Sequence, residues 1–155
     1  MNHINVSVTV ERPASETFAR LESFLREYAP EAEMTLTLRA PFDLTALHVG
    51  VTLQRDVVAR FAPLSADGHA YSVAWQPVSA GPFPAFGGTI FITSTEDQPN
   101  ASIVTLDGHY HPPLGVAGDV FDAIVGRHIA QASAAELLER IALYIDNTVV
   151  PPVFA

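Results

Sequence analysis

Apolar and polar residues alternate through the first ten positions. Ile4, Val6, Val8 and Val10 fall on one face and Asn5, Ser7 and Thr9 on the other, the two-residue period of a half-buried strand. Pro13 ends that run. Ser15, Glu16 and an apolar series of Phe18, Leu21, Leu25 and Tyr28, spaced by three and four, then predict one helix or a bent pair stopping before Pro30. Met34, Leu36 and Leu38 form a second strand stripe, and Val49, Val51, Leu53, Val57, Ala59 and Phe61 form a long third one in which Arg55 breaks the apolar register. A turn at SADG leads to a fourth strand with Tyr71, Val73 and Trp75 on one face. The segment PVSAGPFPAFGG that follows is dense in Pro and Gly and reads as a loop without regular structure, with FPAFGG placed to cover a pocket mouth. Two more strands are predicted over about 89–96 and 101–110, split by the turn sequence DQPN, and the chain from about Val116 to Asn147 is helical in composition.

One strand, a short helical excursion, a run of antiparallel strands and a long terminal helix make an α+β protein. The expected architecture is a curved antiparallel sheet of six or seven strands around the C-terminal helix, with short helices after the first strand, as one domain over 1–155. Space left between such a sheet and its helix is a cavity of the kind that holds ligands.

The terminal helix carries two apolar faces. Phe121, Ile124, Val125, His128 and Ile129 define one, and Leu137, Leu138, Ile141 and Ile145 define another displaced around the axis. The change falls near Ser133, where SAAE has capping-box spacing and offers a break. A single helix that bends or rotates its buried face satisfies the same pattern.

Composition narrows the chemistry. The 155 residues include no Cys, which removes disulfides, thiol nucleophiles and cysteine-ligated metal centres. All eight basic residues are Arg, so Schiff-base, pyridoxal-phosphate and P-loop chemistry lack the amine each requires. A net charge of -9 opposes nucleic-acid backbones and anionic lipid surfaces. No targeting segment or membrane span is recognised, and the expectation is a soluble, cytoplasmic protein without a nucleic-acid or membrane partner.

FPAFGGTIFI and the stretch LDGHYHPPLGVAGDVFDAIVGRHIAQASAAELLERIA, most specifically Gly108, Tyr110, Pro112, Pro113 and Gly115 before the last helix, resemble the end of a START-like, helix-grip domain of the SRPBCC superfamily. That superfamily includes birch-pollen-allergen-like proteins, lipid-transfer domains and polyketide cyclases. The resemblance implies a deep apolar pocket between sheet and terminal helix, and it implies no single function, because binders and enzymes share the scaffold.

Candidate chemistry is sparse. His109 and His111 sit opposite the apolar set Val104, Leu106 and Tyr110 of their strand, on a polar face with Thr105 and Asp107, and no third ligand follows at metal-binding spacing. No metal and no cofactor is expected. His128 falls on the inward stripe of the helix, where it is a satisfied core residue, a hydrogen-bonding group for a ligand or a general base. Arg55 is expensive to bury unpaired; a β-bulge at Arg55-Asp56 turns it outward, and without one it is positioned to receive a ligand carboxylate. Trp75, Tyr71 and Tyr110 are core aromatics that would also line a pocket on a concave sheet. The expected ligand contacts are therefore Arg55, Tyr71, Trp75, Tyr110, Phe121, Val125 and His128. The expected function is binding or carriage of a small hydrophobic molecule, with a polyketide cyclase or dehydratase-like enzyme as the alternative.

Overall fold

The computed structural model describes residues 3–44, 49–64, 70–78, 84–111 and 127–147. Strands β1 (His3–Val10), β2 (Glu33–Leu44), β3 (Val49–Pro63), β4 (Ala70–Pro77), β5 (Ala85–Ser94) and β6 (Ser102–His111) pair antiparallel in one sheet of order β1-β6-β5-β4-β3-β2. Helix α1 (Ala14–Tyr28) joins β1 to β2, and α2 (Arg127–Asn147) follows β6. The first strand closes onto the last, so β1 and β2 are the two edges.

Helix α2 packs chiefly against those two edge strands. One helix can touch both edges of a six-stranded sheet only if the sheet curls around it, which is the helix-grip arrangement. Polar contacts fix both margins. At β2, Glu136 accepts hydrogen bonds from the Arg39 backbone N–H and, at 2.8 Å, from its Nε, while Arg140 donates to the Thr37 carbonyl. At the other margin, Arg12 donates to the Ile145 carbonyl at 2.7 Å and to the Asp146 carbonyl at 3.0 Å. These carbonyls belong to the last turn of α2, which has no intrahelical donor for them. The first contact set also occupies backbone groups of an edge strand that would otherwise stand open to pairing.

Side chains alternate across the sheet as the strand period requires. The inner face holds Ile4 and Val10 of β1, Leu36 and Leu38 of β2, Val57, Ala59 and Phe61 of β3, Val73 and Trp75 of β4, Phe86, Ile90 and Ile92 of β5, and Val104, Leu106 and Tyr110 of β6, all buried. Opposing them on α2 are Ile129, Ala130, Ala134, Leu137, Leu138, Ile141, Ala142 and Ile145. Helix α1 covers one end of this core with Leu21, Phe24 and Leu25. Tyr28 is exposed instead, and Phe24 takes the buried place on α1.

Three points are decided here: two expectations change, and the reading of one helix with a rotating buried face holds. First, Ala85–Gly88 is strand, not loop: Phe86 pairs with Trp75 and Tyr110, and Gly88 with Val73 and Gly108. The glycines serve close backbone approach, since a Cβ on Gly88 would lie 2.2 Å from the Asp107 carbonyl oxygen and one on Gly108 would lie 2.3 Å from that of Gly87. Second, α2 runs unbroken through Ser133, whose buried hydroxyl donates to the Ile129 carbonyl at 2.7 Å, four residues back within the same helix. It caps nothing. Buried residues recur along α2 at spacings of four, so the buried face advances by about 40° at each step, the rotating single helix that the two apolar faces allow. Third, β2 and β3 pair without interruption from Glu33↔Arg60 to Leu44↔Val49, so no bulge turns Arg55 outward.

Candidate functional site

The concave face of β3, β4, β5 and β6 brings together aromatic residues that lie far apart in sequence. The register places Met34, Ala59, Trp75, Phe86 and Tyr110 in one row across five neighbouring strands, because Met34 pairs with Ala59, Ala59 with Trp75, Trp75 with Phe86 and Phe86 with Tyr110. Trp75 and Phe86 stack with ring centroids 4.4 Å apart and planes 16° from parallel. Trp75 is 1% exposed. Its indole Nε1 is buried and has no hydrogen-bond partner among the described residues. An indole N–H is a donor only, and a buried donor left unmet is uncommon and unfavourable by about 1–3 kcal/mol.

Arg55 lies on the same face. Since Trp75 pairs with Ala59 and Arg55 precedes Ala59 by four residues, the two are offset by about 13 Å along the strands. Leu38, directly opposite Arg55 on β2, is fully buried, and Val57, two residues along β3, is fully buried too. The Arg55 Nε is buried without a partner among the described residues, and its NH1 reaches only the carbonyl of its neighbour Gln54, at 3.3 Å. Five other guanidiniums differ in this respect: Arg12, Arg20, Arg39, Arg60 and Arg140 each pair with a glutamate.

Of the remaining sequence candidates, Tyr110 is buried in the aromatic row. Tyr71 shares the inner face of β4 but sits four residues from Trp75, beneath α1, where it stacks on Phe18 at 6.1 Å. Burial raises its hydroxyl pKa above the ordinary value, with the Glu22 carboxylate adding to the effect. His128 is exposed at the start of α2, so the inward placement expected for it does not hold. Helical periodicity put it on the stripe of Ile129, but the buried face there turns to Ile129 and Ala130 and leaves residue 128 outside. Phe121 and Val125 lie outside the described residues. Phe86 was missed in the sequence because FPAFGG read as a loop. Its signal was the even-numbered stripe Phe86, Ile90 and Ile92, which runs through the glycines in step.

The paired histidines take the outer face that their register assigned, and both are exposed. Across the β1–β6 pairing, His3 Nε2 stands 2.7 Å from Asp107 Oδ1, and Asn5 donates to Oδ2 at 2.8 Å. The His3 and His109 rings are 5.3 Å apart. The hydrogen bonds from His3 and Asn5 hold the Asp107 carboxyl below its ordinary pKa. No set of three or more His, Asp or Glu among the described residues is arranged to hold a metal ion. The outer face also carries a groove of about 450 Å³ whose floor is Ala62, Ser72, Ala74 and Gly87, with the Arg60–Glu33 ion pair at its side. Short side chains make this depression, and the sheet separates it from the aromatic row. No helix among the described residues is long and apolar enough to cross a membrane.

No protein-family model and no curated protein matches the chain. Solved structures resemble it in fold. A conserved protein from Geobacillus kaustophilus aligns with a TM-score of 0.54 at 16% identity, over 94% of this chain and 93% of that one. A protein from Thermus thermophilus aligns with a TM-score of 0.52 at 12% identity, over 92% and 96% respectively. A START superfamily protein from Mycobacterium smegmatis aligns more weakly, with a TM-score of 0.47 at 12% identity over 90% and 96%. At these identities the likeness is one of fold alone, a curved antiparallel sheet gripping a C-terminal helix.

Proposed function

We propose that this protein binds or carries a small hydrophobic molecule between the concave face of its sheet and helix α2. The observation that carries the reading is the indole N–H of Trp75, buried within a row of aromatic and aliphatic side chains and lacking an acceptor among the described residues. A ligand with an apolar body and one suitably placed oxygen fills both needs, since it extends the apolar packing and accepts the hydrogen bond. The inner face also favours binding over acid–base catalysis, because its described side chains are apolar apart from Arg55, the indole N–H of Trp75, the hydroxyls of Tyr71 and Tyr110, and Ser94 and Ser102 at the end of the β5–β6 pair, where the Ser102 hydroxyl is taken up by Thr17 and the Arg12 carbonyl.

Native mass spectrometry of gently purified protein, followed by titration with the neutral probe N-phenyl-1-naphthylamine, tests the reading. Saturable uptake of one probe per chain, with energy transfer from Trp75, is the expected result. Probe fluorescence that stays at its aqueous level, with no co-purified molecule, would contradict it.

A further inference from the structure

We infer that the ligand is an amphipathic carboxylic acid and that Arg55 receives its carboxylate. This rests on the binding reading above and adds the chemical class of the ligand.

Uninterrupted pairing of β2 with β3 directs Arg55 to the inner face together with Val57, Ala59 and Phe61. It stands at the middle of the fifteen-residue β3, away from either end of the strand. A guanidinium here has been taken partly out of water without the carboxylate that Arg12, Arg20, Arg39, Arg60 and Arg140 each hold. Its buried Nε and weak NH1 contact leave the planar fork, the group best shaped for two-point recognition of an oxyanion, without an anionic partner among the described residues. Reduced dielectric strengthens the attraction to an entering anion relative to the same pair in water.

Charge selects among anions. No other cationic side chain lies on the described inner face, and the chain contains no lysine. One guanidinium neutralises one negative charge, which suits a carboxylate and leaves a phosphate dianion with an uncompensated buried charge. The net charge of -9 further disfavours polyanionic ligands. Between Arg55 and Trp75 the inner face of β3 presents Val57 and Ala59, both fully buried and apolar. The ligand thus has an acid end at Arg55, an apolar body along β3 and a second oxygen near the Trp75 indole.

The test compares cis-parinaric acid with its methyl ester at neutral pH, on wild type and on Arg55→Gln and Arg55→Lys variants whose folding is checked by circular dichroism. In the wild type the acid binds at least tenfold more tightly than the ester. Arg55→Gln brings the acid to the affinity of the ester and leaves the ester within twofold of wild type, and Arg55→Lys keeps part of the preference. Equal affinities for acid and ester in the wild type overturn the inference, as does an acid preference that survives in Arg55→Gln. Tighter binding of dodecyl phosphate than of parinaric acid overturns the carboxylate assignment. If N-phenyl-1-naphthylamine binds and the acid does not, the inference fails while the binding reading stands; if none of these probes binds, the binding reading fails and takes the inference with it.

Discussion

Gly88 of β5 and Gly108 of β6 face each other across the sheet so closely that a Cβ added to either would lie 2.6 Å from the other's Cα. The same sheet that grips α2 therefore depends on two residues without side chains at one crossing of its inner face. The obstructing atoms include backbone on both sides, which cannot swing away as a side chain would. Gly88→Ala and Gly108→Ala should each destabilise the protein by about 2–3 kcal/mol or prevent folding, as overpacking into backbone does. Gly87→Ala, whose added Cβ meets nothing within 4 Å, should change stability by less than about 0.5 kcal/mol. Urea unfolding of the three variants checks the contrast, and a Gly88→Ala protein as stable as wild type would contradict it.

Glu136 ties α2 to β2 through Arg39 and Arg140, and its own side chain is largely buried. Glu136→Ala removes an acceptor from the Arg39 backbone N–H and from two guanidiniums at once. A loss of about 1–2 kcal/mol is expected, at the low end for charged hydrogen bonds because Arg39 is exposed to solvent screening. Hydrogen exchange should accelerate first along β2. Uniform acceleration over the whole sheet would mean that the contact is no local latch.

Ser133 distinguishes a continuous helix from a broken one. Its hydroxyl is bonded to carbonyls of its own helix, a contact that contributes little to helix stability. Ser133→Ala is therefore expected to alter stability by less than about 0.5 kcal/mol, whereas loss of an N-cap would remove about 1 kcal/mol. Thermal unfolding measures the difference.

Asp107 gives the fold a specific acid sensitivity. Its carboxyl titrates below the ordinary value of 3.8 in the folded chain, so the unfolded state binds more protons in the window between the two. The stabilisation is present above 3.8 and is lost as pH falls through the lowered folded value. Asp107→Asn should flatten the acid side of the stability curve and leave the shape near neutrality unchanged. An acid limb identical to that of wild type would exclude Asp107 as its source.

Most of the architecture was legible because alternation and helical spacing are direct consequences of one-sided burial. The stripe of β1, the faces of β6 and the helix before Pro30 all follow from it. What was hidden had physical causes that a residue-by-residue pattern does not carry. Gly87 and Gly88 signal a turn by composition, yet here Gly88 admits a neighbouring backbone within a strand. Ser133 has the spacing of a cap but satisfies its hydroxyl inside the helix. Arg55 looks misplaced because a lone charge in an apolar stripe suggests a bulge, and only the uninterrupted pairing with β2 puts it on the inner face. His128 shows the opposite error: helical periodicity carried it inward, and rotation of the buried face left it exposed. Of the aromatic contacts, Trp75 and Tyr110 were readable from strand register, and Phe86 lay concealed in the glycine-rich segment.

The central claim is that a ligand lies against the concave face and engages Trp75. The chain has one tryptophan, so its amide NMR spectrum contains one indole N–H cross-peak. Titration of isotopically labelled protein with 12-hydroxydodecanoic acid, whose hydroxyl reaches the indole when its carboxylate sits at Arg55, should move that peak downfield and saturably, with the same midpoint as its displacement of cis-parinaric acid followed by fluorescence, as the buried donor acquires an acceptor. A cross-peak that stays fixed while the fluorescence reports saturated binding would place the ligand elsewhere and contradict the claim.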